Sequence, residues 1–280
     1  DVTARAGVAC AGQDSTGAVF ADLDADGHLD LLVHSLGNGV RAFRNRGAGA
    51  FEEFTEAAGL RSELGGMSLA LSDVDGDGDL DLYVVNYRTT TVMDQPRTKF
   101  TINTVNGRPM VAMVNGVPAT RADLTNRFVL TPSGHVMELG EADQLLLNDG
   151  RGLFTPLSWT DGHFLDEAGK PLAEPPRDWG LSVQFRDVNG DGAPDLYVCN
   201  DLFSPDRFWI NDGQGRFRAL EPLALRTTST FSMGVDFGDL NRDGHVDFMI
   251  VDMLGTSHKD RHTQVSQEAP VLTPIGVIDN

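Results

Sequence analysis

The chain has 280 residues, 40% of them apolar, with 41 Asp/Glu against 22 Lys/Arg and a formal net charge of −19. That is enough apolar material to bury a sizeable core. The acidity argues against nucleic acid as a partner, because binding there needs stripes of Lys and Arg. No apolar run approaches the about 20 residues of a membrane span. Cys10 and Cys199 fall in no zinc or haem spacing and read as small buried apolar side chains, although the sequence does not show whether they pair. No signal peptide is visible, and the chain starts at Asp1, which a processed N-terminus or an excerpt would both explain.

In chain order, a short strand at Ala18-Val19-Phe20 enters the loop Asp22-Leu23-Asp24-Ala25-Asp26-Gly27-His28-Leu29-Asp30 and leaves into Leu31-Leu32-Val33. Val40 to Phe51 follows, carrying an N-x-G-x-G-x-F turn between two short strands. The loop recurs as Asp73-Val74-Asp75-Gly76-Asp77-Gly78-Asp79-Leu80-Asp81, then as Asp187 to Asp195, then as Asp239 to Asp247, each before an apolar, β-rich run. The turn recurs at Asp143 to Phe154 and at Asp206 to Phe217. The first Asp of each loop falls at 22, 73, 187 and 239, and about fifty residues is the length of one four-stranded propeller blade. One unit is therefore strand, acidic loop, strand, connection, strand, glycine turn, strand. Blades are expected at 15–58, 66–157 and 179–222, with two strands of a fourth from about 230.

The loop pattern is D-x-[DN]-x-D-G-x-x-D. Oxygen ligands at positions 1, 3, 5 and 9, a turn glycine at 6 and a backbone carbonyl at 7 are what Ca²⁺ needs. The candidate ligands are Asp22, Asp24, Asp26, His28 and Asp30; Asp73, Asp75, Asp77, Asp79 and Asp81; Asp187, Asn189, Asp191, Ala193 and Asp195; and Asp239, Asn241, Asp243, His245 and Asp247. The fourth residue of each set (His28, Asp79, Ala193 and His245) stands at position 7 and offers only its carbonyl. One copy would also read as an acidic solvated turn, but four copies in register argue against chance. An EF-hand needs Glu at position 12 and flanking helices; here position 12 is Val33, Val84, Val198 or Ile250, inside a strand-like run. About four Ca²⁺ would add eight positive charges and leave about −11.

The second unit is long because residues 88–141 are inserted in it, with six Arg/Lys against four Asp/Glu, so the insertion is +2 in a chain otherwise −21. Val105-Asn106-Gly107 and Val114-Asn115-Gly116 in it are hairpin signals. It reads equally as a solvated decoration or as a contact for an acidic surface, a sister subunit's included. Catalytic patterns are weak. Gly66-Met67-Ser68-Leu69-Ala70 misses the nucleophile elbow, the seven histidines form no H-E-x-x-H, and the glycine-rich stretches precede strands rather than helices. Trp159, Trp179 and Trp209 read as packing rather than a sugar platform.

With these residues laid out, the chain resembles the FG-GAP/VCBS repeat proteins, whose blades form integrin-α-like β-propellers. More narrowly it resembles the ASPIC/UnbV, or cartilage acidic protein, group. The matching residues are Asp187–Asn200 with Asp206–Phe217, Ser232–Asp239, Asp252-Met253-Leu254 and the basic Lys259–His262. The resemblance implies an all-β propeller, secreted or at the cell surface, stabilised by calcium and used for binding, with blades over residues 1–263 and a tail or further segment at 264–280. Such propellers commonly close with about seven blades, whereas about three and a half are visible here. Either the chain is an excerpt or another chain completes it by strand addition. The expected function is a non-enzymatic, extracellular calcium-binding scaffold for protein contacts or adhesion. The alternatives are a structural subunit that assembles with copies of itself into a filament or tube, and a propeller hydrolase or lyase.

Overall fold

The computed structural model describes residues 1–260 except 96, 203, 222, 223, 226, 227, 230, 254, 256 and 258. Leu254, His262 and the 264–280 tail thus lie outside the described residues. The chain divides into two compact units, one of Asp1–Thr89 with Glu141–Asp252, the other containing Thr90–Gly140.

The first unit opens with one helical turn, α1 (Thr3–Ala6), which Gly7 ends at a left-handed φ of 78°. Strands β1 (Asp14–Ala21), β2 (Asp30–Leu36), β3 (Gly39–Asn45) and β4 (Phe51–Glu53) then form an antiparallel sheet in sequence order. The chain starts a second sheet with β5 (Gly66–Ser72) and β6 (Asp81–Asn86). It then leaves to build the second unit from β7 (Phe100–Val105), β8 (Arg108–Val114), β9 (Val117–Pro118), β10 (Phe128–Leu130) and β11 (Val136–Glu138). On its return, β12 (Gln144–Asn148) and β13 (Phe154–Pro156) complete the second sheet in the order β13-β12-β6-β5. A short β14 (Phe164–Leu165) pairs in parallel with the last strand of a third sheet made of β15 (Gly180–Arg186), β16 (Asp195–Asn200), β17 (Arg207–Asn211) and β18 (Phe217–Ala219). An antiparallel pair, β19 (Ser232–Gly238) and β20 (Asp247–Asp252), follows.

The apolar runs after the acidic loops are continuous rather than alternating because both faces of the middle strands are covered. Strands β6 and β16 are buried along their whole length. Leu82 and Val84 pack toward Leu23, Leu32, Val40 and Ala42 of the first sheet. Their neighbours Tyr83 and Val85 pack toward Val183, Leu196, Val198 and Trp209 of the third. Tyr197 and Cys199 in turn meet Val235, Phe248 and Ile250 of the last pair. Successive sheets therefore stack face to face in chain order, and each fully buried side chain contributes about 1.5–3 kcal/mol. The leading face of the first sheet, Leu31, Val33 and Phe43, is covered by Val8 and Cys10, a role that nothing in the periodicity of residues 1–13 announces. The two cysteines are free thiols, and burial pushes that of Cys199 up to about 12.

In the second unit, the two V-N-G signals are tight hairpins. Asn106 and Gly107 have φ of 52° and 77°, Asn115 and Gly116 51° and 79°, the left-handed pair that a two-residue type I′ turn demands. They join β7, β8 and β9 into one sheet. Phe100 meets Phe128 edge-on at 5.1 Å, and the Arg127–Glu138 ion pair at 2.6 Å ties β10 to β11. Among the described residues no helix is long and apolar enough to cross a membrane.

Candidate metal centres

All four acidic loops fold alike. The position-6 glycines Gly27, Gly78, Gly192 and Gly244 have φ of 86°, 96°, 90° and 87°, a conformation other residues adopt only with strain. That turn aims the glycine N–H at the position-1 carboxylate, with distances of 2.9 Å to Asp22, 3.0 Å to Asp73, 2.9 Å to Asp187 and 2.9 Å to Asp239. The position-7 N–H donates to the position-5 carboxylate: His28 to Asp26, Asp79 to Asp77, Ala193 to Asp191 and His245 to Asp243. The position-7 side chains of His28 and His245 are exposed, and that of Asp79 is half-buried.

Position 9 has a task the sequence reading did not give it. Asp81 accepts from Val74 N–H at 3.0 Å and from Asn148 N–H at 2.9 Å, fastening its own loop to the glycine turn of its sheet. Asp195 repeats this with Val188 and Asn211. Asp30 accepts from Asn45 N–H at 2.7 Å, and Asp247 from Leu240 N–H at 3.0 Å.

Position 3 separates the loops. Asn189 Nδ2 donates to Asp191 at 2.8 Å, and Asn241 Nδ2 to Asp243 at 3.0 Å, so the last two loops satisfy their position-5 carboxylates internally. The first two carry Asp24 and Asp75 there, and these cannot donate when ionised. Asp24 Oδ1, Asp75 Oδ1 and Asp30 Oδ2 are buried with no hydrogen-bond partner, and Asp30 as a residue is 1% exposed. Oxygens of Asp22, Asp24 and Asp26 lie within 4.8 Å of one another, as do those of Asp73, Asp75 and Asp81. Among the described residues no other acidic, His or Cys side chains converge in threes in this way. Burial pushes Asp81 up to about 6. Asp75 is raised by burial and by the charges of Asp77 and Asp73, and Asp30 and Asp195 are raised by burial. Hard, clustered, partly desolvated carboxylates with idle lone pairs fit a Ca²⁺ ion and disfavour their own ionised state without a countercharge. All the position-1, 3, 5 and 9 candidates thus sit in one kind of loop, but a carboxylate trio forms only in the first two.

Two contributors escaped the sequence reading. The asparagines of the glycine turns do more than shape a turn. Asn148 Nδ2 reaches Leu80 O at 3.2 Å in its own sheet and Leu23 O at 2.9 Å in the preceding sheet's loop. Asn211 does the same to Pro194 O and Val74 O. The other is Arg44, whose Nε lies 3.1 Å from Asp24 Oδ2. The signal was present: Arg44 stands immediately before the turn asparagine, where the later repeats have Leu147 and Ile210. Elsewhere, Ser68 lies within β5 opposite Val85, Trp179 and Trp209 are buried, and Trp159 stacks on Phe164 at 3.9 Å.

Comparison with known proteins adds a family signature. A family model for the FG-GAP-like repeat matches residues 22–84 and 187–250, so the chain carries FG-GAP-like repeats. Each stretch begins at an acidic loop and contains a second one. Comparison with curated proteins gives no match. Among solved structures, the chain is similar to an Agrocybe aegerita lectin described by its specific recognition of non-reducing terminal N-acetylglucosamine, at 18% identity and a TM-score of 0.30, over 85% of this chain and 60% of that one. The chain thus spans about 60% of that structure's length.

Proposed function

From FG-GAP-like repeats as the premise, we propose that this chain is a calcium-binding scaffold that acts through protein contacts outside the cell. The observation that carries the metal part is the pair of buried, unpartnered carboxylate oxygens on Asp24 and Asp75, each within a converging carboxylate trio. Residues at positions 1, 3, 5 and 9 of each loop hold the ion, with the position-7 carbonyl. The ion supplies countercharge to three or four carboxylates between two strands of one sheet. Stability and the outer surface then depend on calcium. Millimolar extracellular calcium suits loops of this kind, which supports the extracellular setting. The stacked sheets support blades of a β-propeller, and Ser232–Asp239 with Asp252-Met253 supports kinship with the ASPIC/UnbV group. Equilibrium dialysis against Ca²⁺ tests the reading. The wild-type chain should bind about four ions, and Asp75→Asn should lose the tightest. A chain that binds none would leave only solvated acidic turns.

One observation favours the self-assembling alternative. Met249 and Val251 on β20 stand where Tyr83 and Val85, and Tyr197 and Cys199, are buried under a following sheet, yet they are 57% and 52% exposed. Leu240, the counterpart of the buried Leu23 and Val74, is 69% exposed. An apolar face of that kind invites another blade-like surface. Light scattering of the wild type and of Met249→Ser/Val251→Ser decides the matter: assemblies that vanish in the double variant support it, and a monomeric wild type at high concentration removes it.

A further inference from the structure

We infer that position 3 of the acidic loop ranks the metal sites, and that Arg44 acts as a built-in countercation which holds the first site below the second in calcium affinity. The inference rests on the metal reading above.

At positions 1, 3, 5 and 9 the first two loops match, with four carboxylates each; at position 7 the second has Asp79 and the first has His28, whose Nδ1 lies 3.2 Å from Asp26 Oδ1. Their surroundings differ. In the second loop, among the described residues, no Arg, Lys or His forms an ion pair with Asp73, Asp75, Asp77, Asp79 or Asp81, while Asp75 Oδ1 is buried and unpartnered. In the first, the Arg44 guanidinium stands 3.1 Å from the position-3 carboxylate. It is held there from three sides. Its Nη2 donates to Arg151 O at 2.7 Å, its guanidinium lies 4.4 Å from the Phe54 ring centre, and Gly152 leaves room for it, since a Cβ there would come within 3.0 Å of Nη2. In the third and fourth loops Asn189 and Asn241 remove the position-3 charge outright. Position 3 is therefore neutral or neutralised in three loops and uncompensated only in the second. Arg44 also has one hand on the next sheet's glycine turn through Arg151, so an ion entering the first loop meets a positive charge that is already doing structural duty between two sheets.

Calcium and guanidinium compete for the same carboxylate, and their mutual repulsion at such distances weakens the first site by roughly tenfold or more. Loading is therefore sequential. The second loop fills first, and the first fills only at calcium levels that also relieve Asp24 of Arg44.

Isothermal titration of Ca²⁺ into the metal-free 280-residue chain tests this, with Arg44→Leu (the side chain of the second repeat), Arg44→Gln and Arg44→Lys. The wild type should show one tight site above a weaker class. Arg44→Leu and Arg44→Gln should each show two tight sites, the added one strengthened about tenfold or more. Arg44→Lys, which keeps the charge, should retain the wild-type pattern. Asp22→Asn placed in the Arg44→Gln chain should remove the added site and no other. If calcium binds but neither neutral variant changes the isotherm, the role of Arg44 is wrong and the metal reading stands. If no chain binds calcium, the metal reading fails and this inference falls with it.

Discussion

A single carboxylate shows how burial writes itself into pH dependence. Asp143 accepts hydrogen bonds from Asn86 N–H at 2.8 Å and Tyr83 OH at 3.0 Å, yet burial outweighs them and pushes its carboxyl up to about 7. An unfolded Asp releases its proton near about 3.9. Between those values the folded state keeps a proton that the unfolded state has lost, so this group's contribution is full below about 4 and is lost as pH rises through about 7. The slope it can impose is at most about 1.4 kcal/mol per pH unit. Urea unfolding in EDTA should show Asp143→Asn, neutral throughout, with a flatter stability profile than the wild type from pH 4.5 to 8; parallel profiles would refute the assignment. At this scale much of the site was legible. The loop spacing alone brought the carboxylates together, because an acidic turn of this kind is local in sequence. Arg44 and the second task of Asp30 and Asp81 were not, because both depend on which strand lies across the sheet.

At the scale of the element, the sheets are joined by repeated asparagines as well as by apolar packing. Asn148 bridges Leu23 O and Leu80 O, and its Oδ1 accepts from Gly152 N–H at 3.0 Å. Asn148→Ala removes all three bonds and takes a donor from the buried Leu23 carbonyl and the part-buried Leu80 carbonyl, which costs about 1–3 kcal/mol for each group left without a partner. Denaturant unfolding should place it well below the wild type, while Asn45→Ala, whose Nδ2 reaches only Leu29 O, should lose less. Equal losses would show that the bridge between sheets adds nothing. The strands themselves were read correctly from their apolar runs, their loops and their glycine turns. The parallel β14 and the covering segment around Val8 and Cys10 were not, since each is held by tertiary contact rather than by a pattern of its own.

The whole molecule is all-β and strongly acidic, with charge and fold concentrated at the same loops. The insertion, +2 in sequence, forms its own compact unit from two tight hairpins and a strand pair. The first unit is a stack of sheets whose order follows the chain, closed at its leading face by residues of its own N-terminal segment, with Met249 and Val251 exposed on its last described strand. The four acidic loops and three glycine turns could be read in advance because each is local in sequence. The exposure of Met249 and Val251 could not, because burial belongs to neighbours.

The central claim is that calcium holds the acidic loops, and with them the stack, together. Thermal unfolding of the 280-residue chain in EDTA and in millimolar Ca²⁺ tests it most directly. Calcium at a hundredfold above the dissociation constant of even one site should raise the midpoint by about 5–10 °C, and Asp75→Asn should shrink that rise. Identical midpoints in EDTA and in calcium would contradict the account.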